Sequence, residues 1–169
     1  MVKEHEENDP RMIPFYFLNG QICVSLGKYK DALKKFQKIE DQLQNNKSFK
    51  FQDSGEIFIQ KAVCYWNLEN PKEAKECFNQ AIEYNKTKFG TESKKLADCI
   101  YTGAKTIREI PGQKEEAKEY YRKSLEIYRK IGLSCNYEIV STIANFGHFL
   151  GENSEPQEAI KILPEAIEI

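Results

Sequence analysis

Few residues in this chain stand where chemistry could use them. There are two histidines, His5 and His148. A metal ion needs several Cys, His or carboxylate ligands at short fixed spacing, and His148 is read as lacking one. The five cysteines, Cys23, Cys64, Cys77, Cys99 and Cys135, are odd in number, scattered, and form no CxxC pair. They read as reduced thiols that mostly fill a core, in an intracellular and cytoplasmic protein. Cys99 and Cys135 have no cationic cluster beside them to lower a thiol pKa and mark a nucleophile. Glu115 and Glu116 suit a helix start, where carboxylates favour the dipole, better than a catalytic dyad. GxGxxG, GxxxxGK[ST], GxSxG and HExxH are all absent. Lys34-Lys35 and Lys94-Lys95 alternate with acids and read as solvated faces rather than phosphate tracks. No catalytic residue, cofactor or metal is expected, so any chemistry must lie in recognition.

Charge and hydropathy agree. The chain has 169 residues, with Lys+Arg 25 against Asp+Glu 26 and a net charge of −1. No global field favours nucleic acid or an acidic membrane surface. Charged residues at 30% and hydrophobic ones at 40% fit a folded helical chain rather than a disordered one. No run approaches the roughly 20 apolar residues of a membrane span. The start, MVKEHEENDPRM, has no apolar segment of the kind a secretory signal carries.

The elements that must position recognition residues are set by an alanine column. Ala32, Ala74, Ala117 and Ala159 follow one another at steps of 42, 43 and 42, each in a similar phrase: DALKKF, EAKECF, EAKEYY, EAIKIL. A fixed period of this kind marks a repeat architecture. Apolar spacing predicts a helix from Met12 that breaks at Gly27, and a second from about Tyr29 through Leu43. Three further pairs follow. Pro71 and Pro156 sit at helix starts, where a missing N–H is tolerated, and Pro111-Gly112 marks a turn. The first helices carry small residues too, Gly20, Ala62, Ala104 and Gly147, lying 12, 12, 13 and 12 residues before the alanines. That regularity predicts close backbone approach across a tight turn. The extra residue of the third pair falls where an insertion is tolerated, in the turn.

The pattern resembles the tetratricopeptide repeat, a helix–turn–helix unit with small residues at its eighth and twentieth positions and a bulky one at its twenty-fourth. Phe36, Phe78, Tyr121 and Leu163 hold that last place. The period exceeds the usual ~34 residues and is similar to the kinesin-light-chain type, in which a glycine-containing link joins repeats. Gly90 and Gly132 fit that link, whereas the first repeat reads NNKSFKFQ. Asn19, Lys61 and Gly103 stand where the family usually has leucine; Phe146 keeps the place apolar. The resemblance implies an all-α, right-handed superhelical solenoid of four units. These run approximately over 13–46, 55–88, 97–131 and 140–169, after a polar leader at 1–11.

It also implies a concave face lined by first helices, at the repeat's fifth, ninth and twelfth positions. Here these are Phe17, Gln21 and Val24; Ile59, Val63 and Trp66; Tyr101, Lys105 and Arg108; Ala144, His148 and Gly151. Such a groove would hold a peptide, with apolar anchors near Phe17, Ile59 and Trp66 and an acidic group near Lys105 and Arg108. Trp and Arg are frequent interface hot spots. The competing reading packs Trp66 and Val63 between adjacent repeats and leaves Lys105 and Arg108 as a solvated face at i, i+3 spacing. A carboxylate clamp of Lys and Asn, known in some family members, is absent from Phe17, Gln21, Ile59 and Val63, which disfavours chaperone tails.

The sequence therefore predicts a non-catalytic scaffold for a protein or peptide, with no nucleic acid and no membrane. Two alternatives are a structural subunit meeting neighbours by its ends and convex face, and a regulatory domain of a larger enzyme. Ile160, Leu163 and Ile167 in the last helix would bury against a following helix, so a longer array or an end-to-end contact is expected there. Pro164 predicts that this helix kinks or stops early.

Overall fold

The computed structural model describes residues 9–46, 51, 54–132 and 136–168. Readings that fall on His5, Cys135, residues 1–8 of the leader, and 47–50 and 52–53 of the first link lie outside them. A 3₁₀ turn at Pro10–Met12 is capped by Asp9, whose carboxylate accepts from the Arg11 N–H. The helices are α1 (Ile13–Ser25), α2 (Tyr29–Asn45), α3 (Ser54–Asn67), α4 (Pro71–Phe89), α5 (Lys94–Ile107), α6 (Lys114–Ile131), α7 (Asn136–Glu152), α8 (Pro156–Ile162) and the single-turn α9 (Glu165–Glu168). There is no strand among the described residues.

Local signals explain the boundaries. Pro71 and Pro156 open α4 and α8. The Ser93 hydroxyl accepts from the Leu96 N–H at the head of α5. Acids occupy first turns (Asp31, Glu73, Glu115, Glu116) and bases last turns (Lys86, Lys88, Arg129, Lys130), where each complements the helix dipole. Gly132 ends α6 at φ 85 and ψ −152, a region open essentially to glycine alone. Leu163 and Pro164 form a turn between α8 and α9, so the predicted break occurs where the proline removes a donor.

The chain divides into two compact units, Met1–Ala81 and Ile82–Ile169. In the first unit α1 packs on α2, and Ile13, Ala32, Phe36, Ile39, Ile57 and Cys64 form one buried cluster. Ala62, Cys77 and Phe78 form another. A Cβ on Gly20 would lie 2.5 Å from the Phe36 ring. The side chain filling the space over the small residue is thus the bulky one sixteen positions on, rather than the alanine twelve positions on. Lys61, standing where leucine was expected, has its own explanation. Its Nζ reaches Glu40 on α2 at 2.7 Å, with both side chains largely buried. Cys64 and Cys77 are buried, and burial pushes their thiols up to about 12 and about 11. They are core residues, as read.

In the second unit Leu96, Ile100, Leu125, Tyr128, Ile139 and Ile143 make one cluster. Ala104, Ala117, Tyr121, Phe146, Phe149 and Leu150 make the other. Tyr121 is its centre, stacked on Phe146 at 5.2 Å and tilted against Phe149 at 5.8 Å and Tyr101 at 6.2 Å. Gly147 repeats the device of Gly20, since a Cβ there would lie 2.9 Å from Leu163.

Candidate binding face on the first helices

Each unit presents its first helices differently. In the first unit Phe17 is half-buried, edge-on to Phe51 at 5.4 Å and 6.4 Å from the Phe36 ring. Phe17 and Val24 pack against the Phe36 cluster, and Ile59 packs against the Phe78 cluster. Gln21, Val63 and Trp66 are half-buried. The predicted apolar anchors therefore share their surface with the core. A separate depression of about 380 Å³ lies between α3 and α4, with Lys61, Tyr65, Lys72, Glu73 and Glu76 around it.

In the second unit the predicted residues come together. Tyr101 on α5 meets α7 through a polar chain. Asn145 Nδ2 donates to the Tyr101 hydroxyl at 2.9 Å. The tyrosine hydroxyl also shares a hydrogen bond with Ser141 Oγ at 3.2 Å. Asn145 also donates to the Ser141 carbonyl at 2.8 Å, so both hydrogens of its amide are used. Lys105, exposed, places its ammonium 5.3 Å above the Tyr101 ring, which fixes a cation without neutralising it. Arg108, Ala144, Asn145 and His148 line a shallow depression of about 240 Å³. Arg108 holds Glu109 at 2.7 Å through Nε, while His148 and Gly151 are exposed.

One reading is corrected here. Glu152 stands one turn beyond His148, a carboxylate at ligand spacing, and its Oε2 lies 3.3 Å from His148 Nδ1. Two groups do not make a metal centre, and no cluster of three candidate ligands occurs among the described residues. Asn145 and Ser141 escaped the sequence reading altogether. Their signal was polarity at i, i+4 on one face of α7.

Among the described residues, what this face brings together is hydrogen-bond donors and cations. Among the described residues no helix is long and apolar enough to cross a membrane.

The family model for the tetratricopeptide repeat matches residues 53–130. No curated protein matches the sequence. Among solved structures the fold is similar to that of BtubC (BKLC) from P. vanneervenii, at 16% identity and a TM-score of 0.82, over 95% of this chain and 64% of that one. It is also similar to the nearly identical TPR-like repeats of a putative kinesin light chain from Podosopora anserina. That likeness is at 15% identity and a TM-score of 0.73, over 95% of this chain and 75% of that one. At such identities the likeness speaks of fold, and this chain spans 64% of the BtubC chain. Proteins built from this repeat are in general non-catalytic scaffolds that bind other proteins. Residues 53–130 thus carry the tetratricopeptide repeat's own sequence pattern, and over nearly all of its length the chain has the fold of an all-α repeat solenoid similar to solved TPR-like repeat structures.

Proposed function

We propose that the first-helix face of the second unit binds an acidic peptide segment. The observation that carries this is a depression lined by Arg108, Asn145 and His148, whose Asn145 is hydrogen-bonded to Tyr101, the ring over which Lys105 stands. Two cations whose positions are set by a ring and by a neighbouring glutamate are pre-organised for a carboxylate, which lowers the ordering cost of binding. The peptide backbone would lie along α5 and α7, with its acidic side chain between Lys105 and Arg108. On the first unit, Trp66 and Ile59 are proposed as apolar contacts in their own right, since a half-buried tryptophan retains surface for a ligand.

The test is fluorescence anisotropy with a labelled peptide bearing two glutamates beside an aromatic residue, against its glutamine counterpart. The glutamate peptide should bind more tightly, and Lys105→Glu with Arg108→Glu should weaken it at least ~10-fold, about 1.4 kcal/mol. Equal binding of both peptides, or no change in the double variant, would remove this reading. Trp66→Ala, measured separately, reports on the first unit.

A further inference from the structure

Arg108 stands where two depressions meet. It caps the C-terminal end of α5, its N–H still bonded to the Ala104 carbonyl, so its side chain leaves from a fixed point. It lines the depression of about 240 Å³ that Asn145 and His148 share. It also lines a second, of about 270 Å³, on the side of the turn, and Glu109 lines that one.

Two acceptors compete for the guanidinium. Glu109 takes Nε at 2.7 Å from the turn side. The other is the Tyr121 hydroxyl. Tyr121 is fully buried and its oxygen has no hydrogen-bond partner, although the Arg108 charge acts on it. A buried polar group left unpaired is costly, and a charged donor makes a stronger bond than a neutral one. The hydroxyl therefore pulls on Arg108, and Glu109 is what holds the guanidinium away from it. That hold is weak. The Glu109 side chain is 56% exposed and the Arg108 side chain 26%, and exposed pairs are worth little. The carboxylate also lies just past the C-terminus of α5, where the helix dipole disfavours an anion.

We propose that Glu109 is a positioning residue: it keeps Arg108 drawn out over the first-helix face, and without it the guanidinium turns inward to donate to the Tyr121 hydroxyl. The charge then leaves the depression that Asn145 and His148 line. Since Nε is the nitrogen given to Glu109, Nη1 and Nη2 are left to meet a carboxylate as a pair. The consequence for binding rests on the acidic-peptide reading above; the movement of Arg108 does not. The sign of the effect is diagnostic. Removing an anion beside a cationic face should by charge alone favour an acidic peptide, whereas loss of a positioning residue should weaken it.

Wild type, Glu109→Ala, Tyr121→Phe and the double variant test this, with circular dichroism confirming each fold. The probes are the glutamate peptide and its glutamine counterpart. In fluorescence anisotropy Glu109→Ala should weaken the glutamate peptide about 3- to 5-fold, the worth of one exposed charge contact. Adding Tyr121→Phe should return most of that loss, since phenylalanine gives Arg108 no oxygen to turn to. In urea at pH 7 without peptide, Glu109→Ala should raise the midpoint by about 0.3–0.5 M more on the tyrosine background than on the phenylalanine one. Alanine's own effect at the helix end cancels between the two backgrounds. Unchanged or tighter binding of the glutamate peptide to Glu109→Ala overturns the proposal, as does a double variant no stronger than Glu109→Ala. So do equal midpoint shifts on both backgrounds. If wild type does not prefer the glutamate peptide, the proposed function falls, and the urea comparison alone upholds or overturns the movement of Arg108.

Discussion

The Tyr121 hydroxyl sits in the middle of the second unit's aromatic packing without a hydrogen-bond partner. The Arg108 guanidinium approaches it without the geometry of a hydrogen bond. Burial pushes the phenol up to about 12, with the Arg108 charge working the other way. A folded value above the ordinary one of about 10 means that the unfolded chain gives up this proton first. The stabilisation is whole below about pH 10 and drains away as pH climbs toward 12, by up to ~2–3 kcal/mol for this group. Tyr120, also held at about 12 by burial, adds to the slope. Tyr121→Phe should shift stability at pH 7 by less than about 1 kcal/mol, because an unmade hydrogen bond is lost. It should also roughly halve the decline above pH 10, as read from urea midpoints at pH 7, 9 and 10.5. Gly20→Ala should act oppositely, with no pH dependence. Its methyl would meet the Phe36 ring at 2.5 Å, an overpacking that costs about 1–3 kcal/mol. At this scale the sequence revealed which residues recur but not what they touch. Gly20 announced a close approach by recurring with Ala62, Ala104 and Gly147. That its partner is a ring sixteen residues on, or that Lys61 pairs with Glu40, depends on side-chain reach across helices, which periodicity does not encode.

Helix ends were the most legible feature of the elements. Proline, serine and glycine act on the backbone locally, so Pro71, Pro156, Ser93 and Gly132 mark boundaries without tertiary help. The last helix is the instructive case. Pro164 interrupts it, and beyond the break Ala166 and Ile167 donate to Leu163 and Pro164 three residues back, at 3.1 and 3.0 Å. What holds α9 is lateral. Lys118 pairs with Glu155, Arg122 with Glu158 and Arg129 with Glu165, a ladder from α6 to the last repeat. Arg129 holds the Glu165 carboxyl below its usual range. The two arginine pairs are partly exposed, where each is worth at most about 1 kcal/mol, whereas the Lys118 side chain is buried. Pro164→Ala restores the N–H and removes the ring clash, so α8 and α9 should join into one helix. Hydrogen exchange should show at least ~10-fold slower exchange at the amides of 165–167. Unchanged protection there would mean that the ladder, rather than the proline, sets the break. The ladder itself was not legible, because pairs 36 or 37 residues apart emerge only once two second helices are known to lie side by side.

Across the whole molecule, the proposed face of the second unit acts through Lys105 and Arg108 in a chain whose net charge is only −1, so its attraction is local and is screened beyond about 10 Å at 0.1 M salt. Raising sodium chloride from about 50 to about 500 mM should therefore weaken the glutamate peptide several-fold, within the range of exposed charge pairs. Should the peptide hold its affinity at high salt, its contact would be apolar, and Trp66 rather than Arg108 would be the residue to follow.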